Sequence, residues 1–331
     1  QHFLLYAGDE LIAGIPAYIK TNSFGEFVFD HPWAAAYARA GLDYYPKLVL
    51  AVPFTPVTGK RLLIKPEADP NLLAQYLIPA VIEFARDTNL SGVHCLFTCE
   101  TDRHLLQQSG FLLRLDYQYH WHNSGYNNFE HYLSFMRSHK RKNIRQERRR
   151  VTEQGIHFNR LYGHELNAAQ LDIIHRFYHS TFLKKGNYPA LTRDFFESIS
   201  TSMGPALVVM LAEENGQAVA ASVDFRSDST LYGRYWGCDR MFDALHFEAC
   251  YYQGIEYCIE HKLRSFEPGA QGEHKIARGF LPTATWSAHW LSDRRFHAAI
   301  ADYLQRETAA MQQQRRELDQ LSPFRDTPII D

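Results

Sequence analysis

The chain has 331 residues, 45% hydrophobic, 22% charged and 14% aromatic, with a formal net charge of −2. That length is large for one core and fits two ordinary domains, while the composition excludes a disordered or low-complexity polymer. The longest apolar runs, such as residues 206–212, fall far short of the roughly 20 residues that a membrane helix needs, so no membrane span is expected.

In chain order, the first element is a hairpin of Phe3–Ala7 and Leu11–Ile19 around Gly8-Asp9-Glu10. An aromatic stretch, Thr21–Tyr45, follows, and Pro46–Val52 and Arg61–Ile64 read as strands bracketed by Pro53, Pro56 and Gly59. Leu72–Asp87 is an amphipathic helix interrupted or started by Pro79. Val93–Thr98 is a strand, Asp102–Ser109 a short helix and Leu112–Trp121 a strand, and the polar cluster His122–Asn128 is the best linker. In the second half, Leu207–Ala212 and Ala218–Phe225 form another hairpin, and Leu231–Asp239 reads as a strand and turn. Phe247, Cys250, Tyr251, Gly254, Ile255, Cys258 and Ile259 then mark one buried helical face. Thr283–Leu291 is a strand, and Asp293–Leu321 is a helix about 43 Å long, stopped by Ser322-Pro323. Its docking stripe is Phe296, Ile300, Leu304, Met311, Leu318 and Leu321, which suits a clamp across both domains or a homodimer contact. The expected domains are 1–122, 123–292 and a helical tail, 293–331.

Cys95, Cys99, Cys238, Cys250 and Cys258 form no C-x-x-C pair, and the 17 histidines show no metal spacing, so no metal is expected. Free thiols on a buried stripe suit a reducing, cytoplasmic compartment. The chain opens at Gln1 in mid-pattern and reads as a fragment whose first element lies upstream.

Chemistry concentrates in three places. From Arg137 to Arg150 there are eight basic residues and one acid. On a helix Arg137, Arg141, Arg145 and Arg148 share a face, and with Lys140 and Lys142 they suit an anionic ligand such as a diphosphate or a nucleic-acid backbone. The second place is the loop 266–280, where Glu267, Glu273, His274, Lys275 and Arg278 surround glycines that admit close backbone approach. Acyl transfer to an amine needs an oxyanion stabiliser, for which Lys275 or Arg278 serves, and a proton route, for which Glu267 or His274 serves. The third is Arg234, Tyr235 and Trp236 with His246 and Glu248 at the start of the next helix, facing the same cleft. No half carries the Q/R-x-x-G-x-G/A pattern of a coenzyme A pyrophosphate cradle.

The two halves also echo one another. The hairpins correspond, Ile82–Ala85 matches Ile255–Cys258 with Leu90 and Leu263 at the same offset, and Gly110-Phe111 matches Gly279-Phe280. That order of hairpin, helix, strand and closing Gly-Phe turn resembles the Gcn5-related N-acetyltransferase (GNAT) fold, so the expected class is α/β: tandem GNAT-like domains with a long C-terminal helix.

The chain further resembles the FemAB-like branch of that superfamily. The resemblance is carried by Ser23-Phe-Gly-Glu-Phe-Val-Phe-Asp30, Tyr44-Tyr-Pro-Lys47, Pro53-Phe-Thr-Pro-Val-Thr-Gly59 and Lys140-Arg-Lys-Asn-Ile-Arg-Gln-Glu-Arg148. It continues in Arg234-Tyr-Trp-Gly237, His246–Glu256 and Phe266–Phe280. It implies a bacterial N-acyltransferase acting on an amine, with acyl-CoA or aminoacyl-tRNA as co-substrate, tRNA as a partner and a peptidoglycan precursor as acceptor; the alternative is a non-catalytic binder of an anionic glycan precursor or RNA. In Fem transferases a basic helix similar to Lys140–Arg149 holds the nucleotide or diphosphate part of the precursor. Their Phe-Lys-Lys-Gly-Phe-like turn resembles Ile276–Phe280, with Ala277 at the first lysine and Lys275 and Arg278 as substitutes. The helical arm of some Fem enzymes finds no room between Val151 and Pro205, which leaves the donor open.

Overall fold

In the computed structural model, which describes residues 1–184, 186, 188–270 and 272–325, the first hairpin forms as expected. Strands β1 (His2–Ala7) and β2 (Glu10–Pro16) pair antiparallel around Gly8, which takes a φ of +62° that suits glycine. β3 (Tyr18–Lys20) is separate, and the aromatic stretch after it contains α1 (His31–Arg39), with Pro32 in its first turn and Trp33 and Tyr37 buried. β4 (Lys47–Leu50) pairs antiparallel with β3, and the short β5 (Leu63–Ile64) extends the hairpin.

Helix α2 (Pro70–Asp87) starts where the Asp69 side chain accepts from the Asn71 amide, and it buries Leu73, Leu77, Ile78, Val81 and Ala85. The expectation that Pro79 interrupts or starts this helix is corrected: the helix runs through it. Pro79 and Gln75, one turn before it, are both exposed, so the carbonyl freed by the missing donor meets water. The chain returns as β6 (Gly92–Cys95), parallel to β4, then α3 (Glu100–Gln108), Gly110 at φ +85°, the buried Phe111, and β7 (Leu112–His122).

After the turn at 123–128, Asn128 caps α4 (Phe129–Ser134), and the basic segment forms α5 (Ser138–Glu153). Next come β8 (Ile156–Tyr162) and two helices that sequence reading left unassigned, α6 (Ala168–Lys184) and α7 (Arg193–Met203). β9 (Leu207–Glu214), β10 (Gln217–Arg226) and β11 (Thr230–Cys238) form a meander. A composite helix follows: α8 (Leu245–Phe247), a π-helical segment at Glu248–Tyr252, and α9 (Gln253–Glu260). The π segment breaks the strict 3.6-residue stripe, so Glu248 and Tyr252 are buried as well as Tyr251, Ile255 and Cys258. β12 (Ser265–Glu267) pairs parallel with β11 across this helix, as β6 does with β4 across α2. A 3-10 turn (Glu273–Arg278), Gly279 at φ +87° and the buried Phe280 lead into β13 (Leu281–Leu291) and α10 (Arg294–Gln320).

Two compact units result, Gln1–Tyr117 with Thr283–Glu317, and Gln118–Pro282 with Leu318–Asp331. In the first the order β3-β4-β6-β13 ends on β13, which registers Ala288 against Cys95 and Leu291 against Gly92. In the second the order β7-β12-β11-β10-β9-β8 begins with the end of β7, where Phe266 faces Trp121. Each unit's sheet is thus completed by the strand that follows the other unit's Gly-Phe turn. The expected boundaries, 1–122 and 123–292, treated the domains as continuous stretches, whereas the units exchange segments. Along α10, Ile300 and Leu304 pack with Trp33 and Tyr37, and Leu318 packs with Tyr132 and Phe324 in the second unit's core. Leu321, expected on the docking stripe, is exposed. Both units carry the tandem GNAT-like plan, and no helix among the described residues is long and apolar enough to cross a membrane.

Candidate functional site

The site expected in the second half lies where β11 and β12 part. Their pairing stops at Tyr232 and Glu267; β11 runs on to Cys238 with β10 alone beside it, while the chain leaves Glu267 into the 268–272 loop. Just beyond the parting, β11 carries a bulge. Val223 pairs with Tyr235 and Asp224 with Gly233, which leaves Arg234 as the extra residue. The bulge reverses the alternation of faces. Leu231 packs with Tyr252 and Ile255, whereas Tyr235 packs on the opposite face with Tyr178 and Phe196.

Two glycines of this strand have separate structural tasks. A Cβ on Gly237 would collide with the Phe177 backbone, so this glycine lets α6 approach the sheet. Gly233 lies against Pro268 and the Asp224 carboxylate, with an added Cβ only 3.1 Å from Pro268 Cα. It lets the 268–270 loop rest on the strand beside the bulge.

Lys275, 3% exposed, donates to the Gly269 carbonyl at 2.7 Å and lies 3.5 Å from that of Pro268. Burial lowers its ammonium to about 8, opposed by Cys250. Glu267 is raised to about 7 by burial, and one of its carboxylate oxygens accepts no hydrogen bond although the His120 ring lies 3.9 Å away. His120 is itself held to about 3, mainly by burial and then by His122 and Lys275, so it stands neutral beside that oxygen. A neutral imidazole at that distance is no ion-pair partner. Asp224, buried and held by a 3.0 Å bond from Ser222 Oγ, is likewise raised to about 7 by burial. Sequence reading missed both Asp224 and His120. The available signal was a charged or polar residue inside an apolar strand run, Val219–Phe225 and Tyr119–Trp121.

The other expected catalytic groups are committed elsewhere. Arg278 donates to Glu147 at 2.7 Å and to the His274 carbonyl, and its guanidinium lies 3.5 Å from the centre of the Phe247 ring. Glu248 is buried, accepting from Arg148 and from Gln253. His274 meets the Tyr251 hydroxyl at 2.9 Å, and burial, then Arg278 and Lys275, lower its basicity. His246 is exposed and stands edge-on to Trp236 and Tyr251, and Tyr251 in turn meets the His274 ring.

Helix α5 divides along its length. Its second half is fastened to the unit: Arg148 bonds Glu248 and Glu256 and lies over Phe129, Arg150 pairs with Asp243, and Glu147 accepts from Tyr252 as well as Arg278. Arg145, exposed, pairs with Glu130. In the first half, Arg137, Lys140, Arg141 and Lys142 pair with no carboxylate among the described residues. They crowd a helix N-terminus that has no acid in its first turn, against the helix dipole's preference for negative charge. In the loop before α8 the Asp243 amide donates to Gln154, and the Asp239 and Asp243 carboxylates pair with Arg176 and Arg150.

A family model described as peptidoglycan biosynthesis/recognition matches residues 1–326. The chain belongs to the FemAB-like family. No curated protein matches this FemAB-like chain. Among solved structures it is similar to FemX, at 10% identity and a TM-score of 0.52, over 91% of this chain and 90% of that one. It is also similar to L-PGS from Bacillus licheniformis, at 10% identity and 0.54, over 78% and 82%. A third is the C-terminal domain of a putative lysylphosphatidylglycerol synthetase from Agrobacterium fabrum, at 10% identity and 0.53, over 78% and 81%. At these identities the FemAB-like protein shares the fold of all three.

Proposed function

We propose that the protein is an N-acyltransferase that joins an acyl or aminoacyl group to an amine, with a peptidoglycan precursor as the acceptor that family membership favours. The observation that carries this reading is the parting of β11 and β12 beside the Arg234 bulge, bordered by a carboxyl near neutrality and a buried ammonium. The acceptor nitrogen attacks the donor carbonyl, forming the C–N bond. Glu267 takes the proton that the nitrogen sheds, and a carboxyl raised to about 7 is matched to that task. Lys275 is the cation for the oxyanion; Arg278, held by Glu147 and Phe247, is the weaker candidate. Collapse breaks the donor's C–O or C–S bond, and the proton leaves with the alcohol or thiol. The free cations at the start of α5 suit the phosphates of donor or acceptor.

The donor is an aminoacyl-tRNA or an acyl-CoA. The test is incubation with radiolabelled aminoacyl-tRNA and acyl-CoA pools together with amine acceptors, alongside Lys275→Met. Label transfer by the wild type that falls about 100- to 1,000-fold in the variant is expected. Tight binding of tRNA or precursor without label transfer would replace this reading with that of a non-catalytic binding protein.

A further inference from the structure

Three of the sequence motifs left without a role, Ser23–Asp30, Tyr44–Lys47 and Pro53–Gly59, meet in the first unit. Lys47, with no exposed side-chain surface, donates to Ser23 Oγ and Glu26 at 2.8 Å each and to Asp30, which also accepts from Tyr44. This cluster pins the 22–30 loop to β4. Beside it opens a cleft of about 400 Å³, within the roughly 300–1,000 Å³ range of small-molecule sites. The cleft lies where the parallel strands β4 and β6 part after Leu50 and Cys95, at their carboxyl ends, where open α/β sheets bind ligands.

Its walls are mainly apolar and exposed, Phe24 (60%), Val52 (50%), Ile19 (48%) and Phe54 (46%), with Leu96 and Phe97 behind them and Asn22 and Thr55 as polar members. A monomer rarely leaves such side chains together in a concavity without a use for them. The backbone is shaped to make the arrangement. Phe54 and Phe97 both hold positive φ, +54° and +53°, a costly conformation for a bulky residue. Gly25, at φ +78°, has the Phe54 ring lying where a Cβ would project, so the ring rests directly on the loop backbone. Two charged residues line the cleft, Lys20 and Glu26, and they pair with each other at 3.1 Å. Those two charges are spent on one another, so the cleft's lining offers a ligand no unpaired charge.

We infer that this cleft is a binding site for an uncharged hydrocarbon group, the apolar arm of a small molecule held between Phe24, Val52 and Phe54. The inference stands apart from the acyl-transfer chemistry of the second unit. The neutral fluorophore N-phenyl-1-naphthylamine tests it on the whole chain. Saturable fluorescence that 1-octanol displaces is expected, with octanoate and octylammonium at least tenfold weaker. Val52→Trp, which fills the cleft from a half-exposed position, should weaken probe binding at least tenfold. Leu72→Trp on α2, also exposed and outside the cleft, should leave it unchanged. Phe24→Ser gives a second reading at the most exposed wall and should weaken binding likewise, with folding of each variant checked by circular dichroism. Absence of saturable binding, equal binding by Val52→Trp and Phe24→Ser, or equal displacement by the charged amphiphiles would overturn the inference.

Discussion

Replacing Glu267 with Gln isolates what a partly buried carboxyl contributes at the parting of β11 and β12. In the folded chain this group protonates at about 7, against 4.5 for an ordinary glutamate, because burial disfavours its charge. Between those values the folded state holds a proton that the unfolded chain has released. Stability therefore falls as pH rises through that window. The displacement of about 2.5 units corresponds to about 3 kcal/mol, all of it present as a penalty above pH 7. Glutamine keeps the shape and cannot ionise. Urea unfolding of wild type and Glu267→Gln at pH 5, 6, 7 and 8 should show the variant gaining on the wild type, from about 1 kcal/mol at pH 5 to about 3 kcal/mol at pH 8. Asp224 titrates in the same range in both proteins, so its contribution cancels. A pH-independent difference would refute the reasoning, and a variant that loses ground as pH rises would show that the fold stabilises the carboxylate.

Further outcomes follow from the same geometry. Arg141→Ala should leave the unfolding midpoint unchanged and weaken binding of phosphorylated ligands by about 1.5–3 kcal/mol in a titration calorimeter. Arg148→Ala should destabilise the fold by about 3 kcal/mol, because Glu248 would remain buried without its cation. Equal behaviour of the two variants would show that α5 is not divided into a ligand-facing half and a structural half. Gly237→Ala should cost about 1–3 kcal/mol by forcing α6 away from β11, read as a lowered Tm.

Elements that rest on local chemistry were legible in the chain alone. Alternating side chains around Gly8 and around Asn215-Gly216 specify the two hairpins, and glycine before phenylalanine specifies the turns at 110 and 279, both left-handed. The apolar stripe of α2 was legible for the same reason, and so was the repeat of hairpin, helix, strand and turn. Lys275, Glu267 and the basic run of α5 could be picked out because their residue types are costly to bury or to crowd.

What each charge does is settled only by the folded chain. Arg278 and Arg148 look as available in sequence as Lys275 and Arg141, yet Glu147, Glu248 and Glu256 neutralise the first two. Which carboxylate reaches which guanidinium depends on helix packing between residues about a hundred positions apart. The exchange of β7 and β13 was equally invisible, because a strand's pattern shows which face it buries and not which edge it joins. The bulge at Arg234 and the π segment at Glu248–Tyr252 each insert one residue out of phase, which only the backbone hydrogen bonding of the folded chain reveals. The cleft in the first unit needs the 22–30 loop to be pinned by Ser23, Glu26 and Asp30 to Lys47, and side-chain pairing of that kind leaves no periodic trace in a chain.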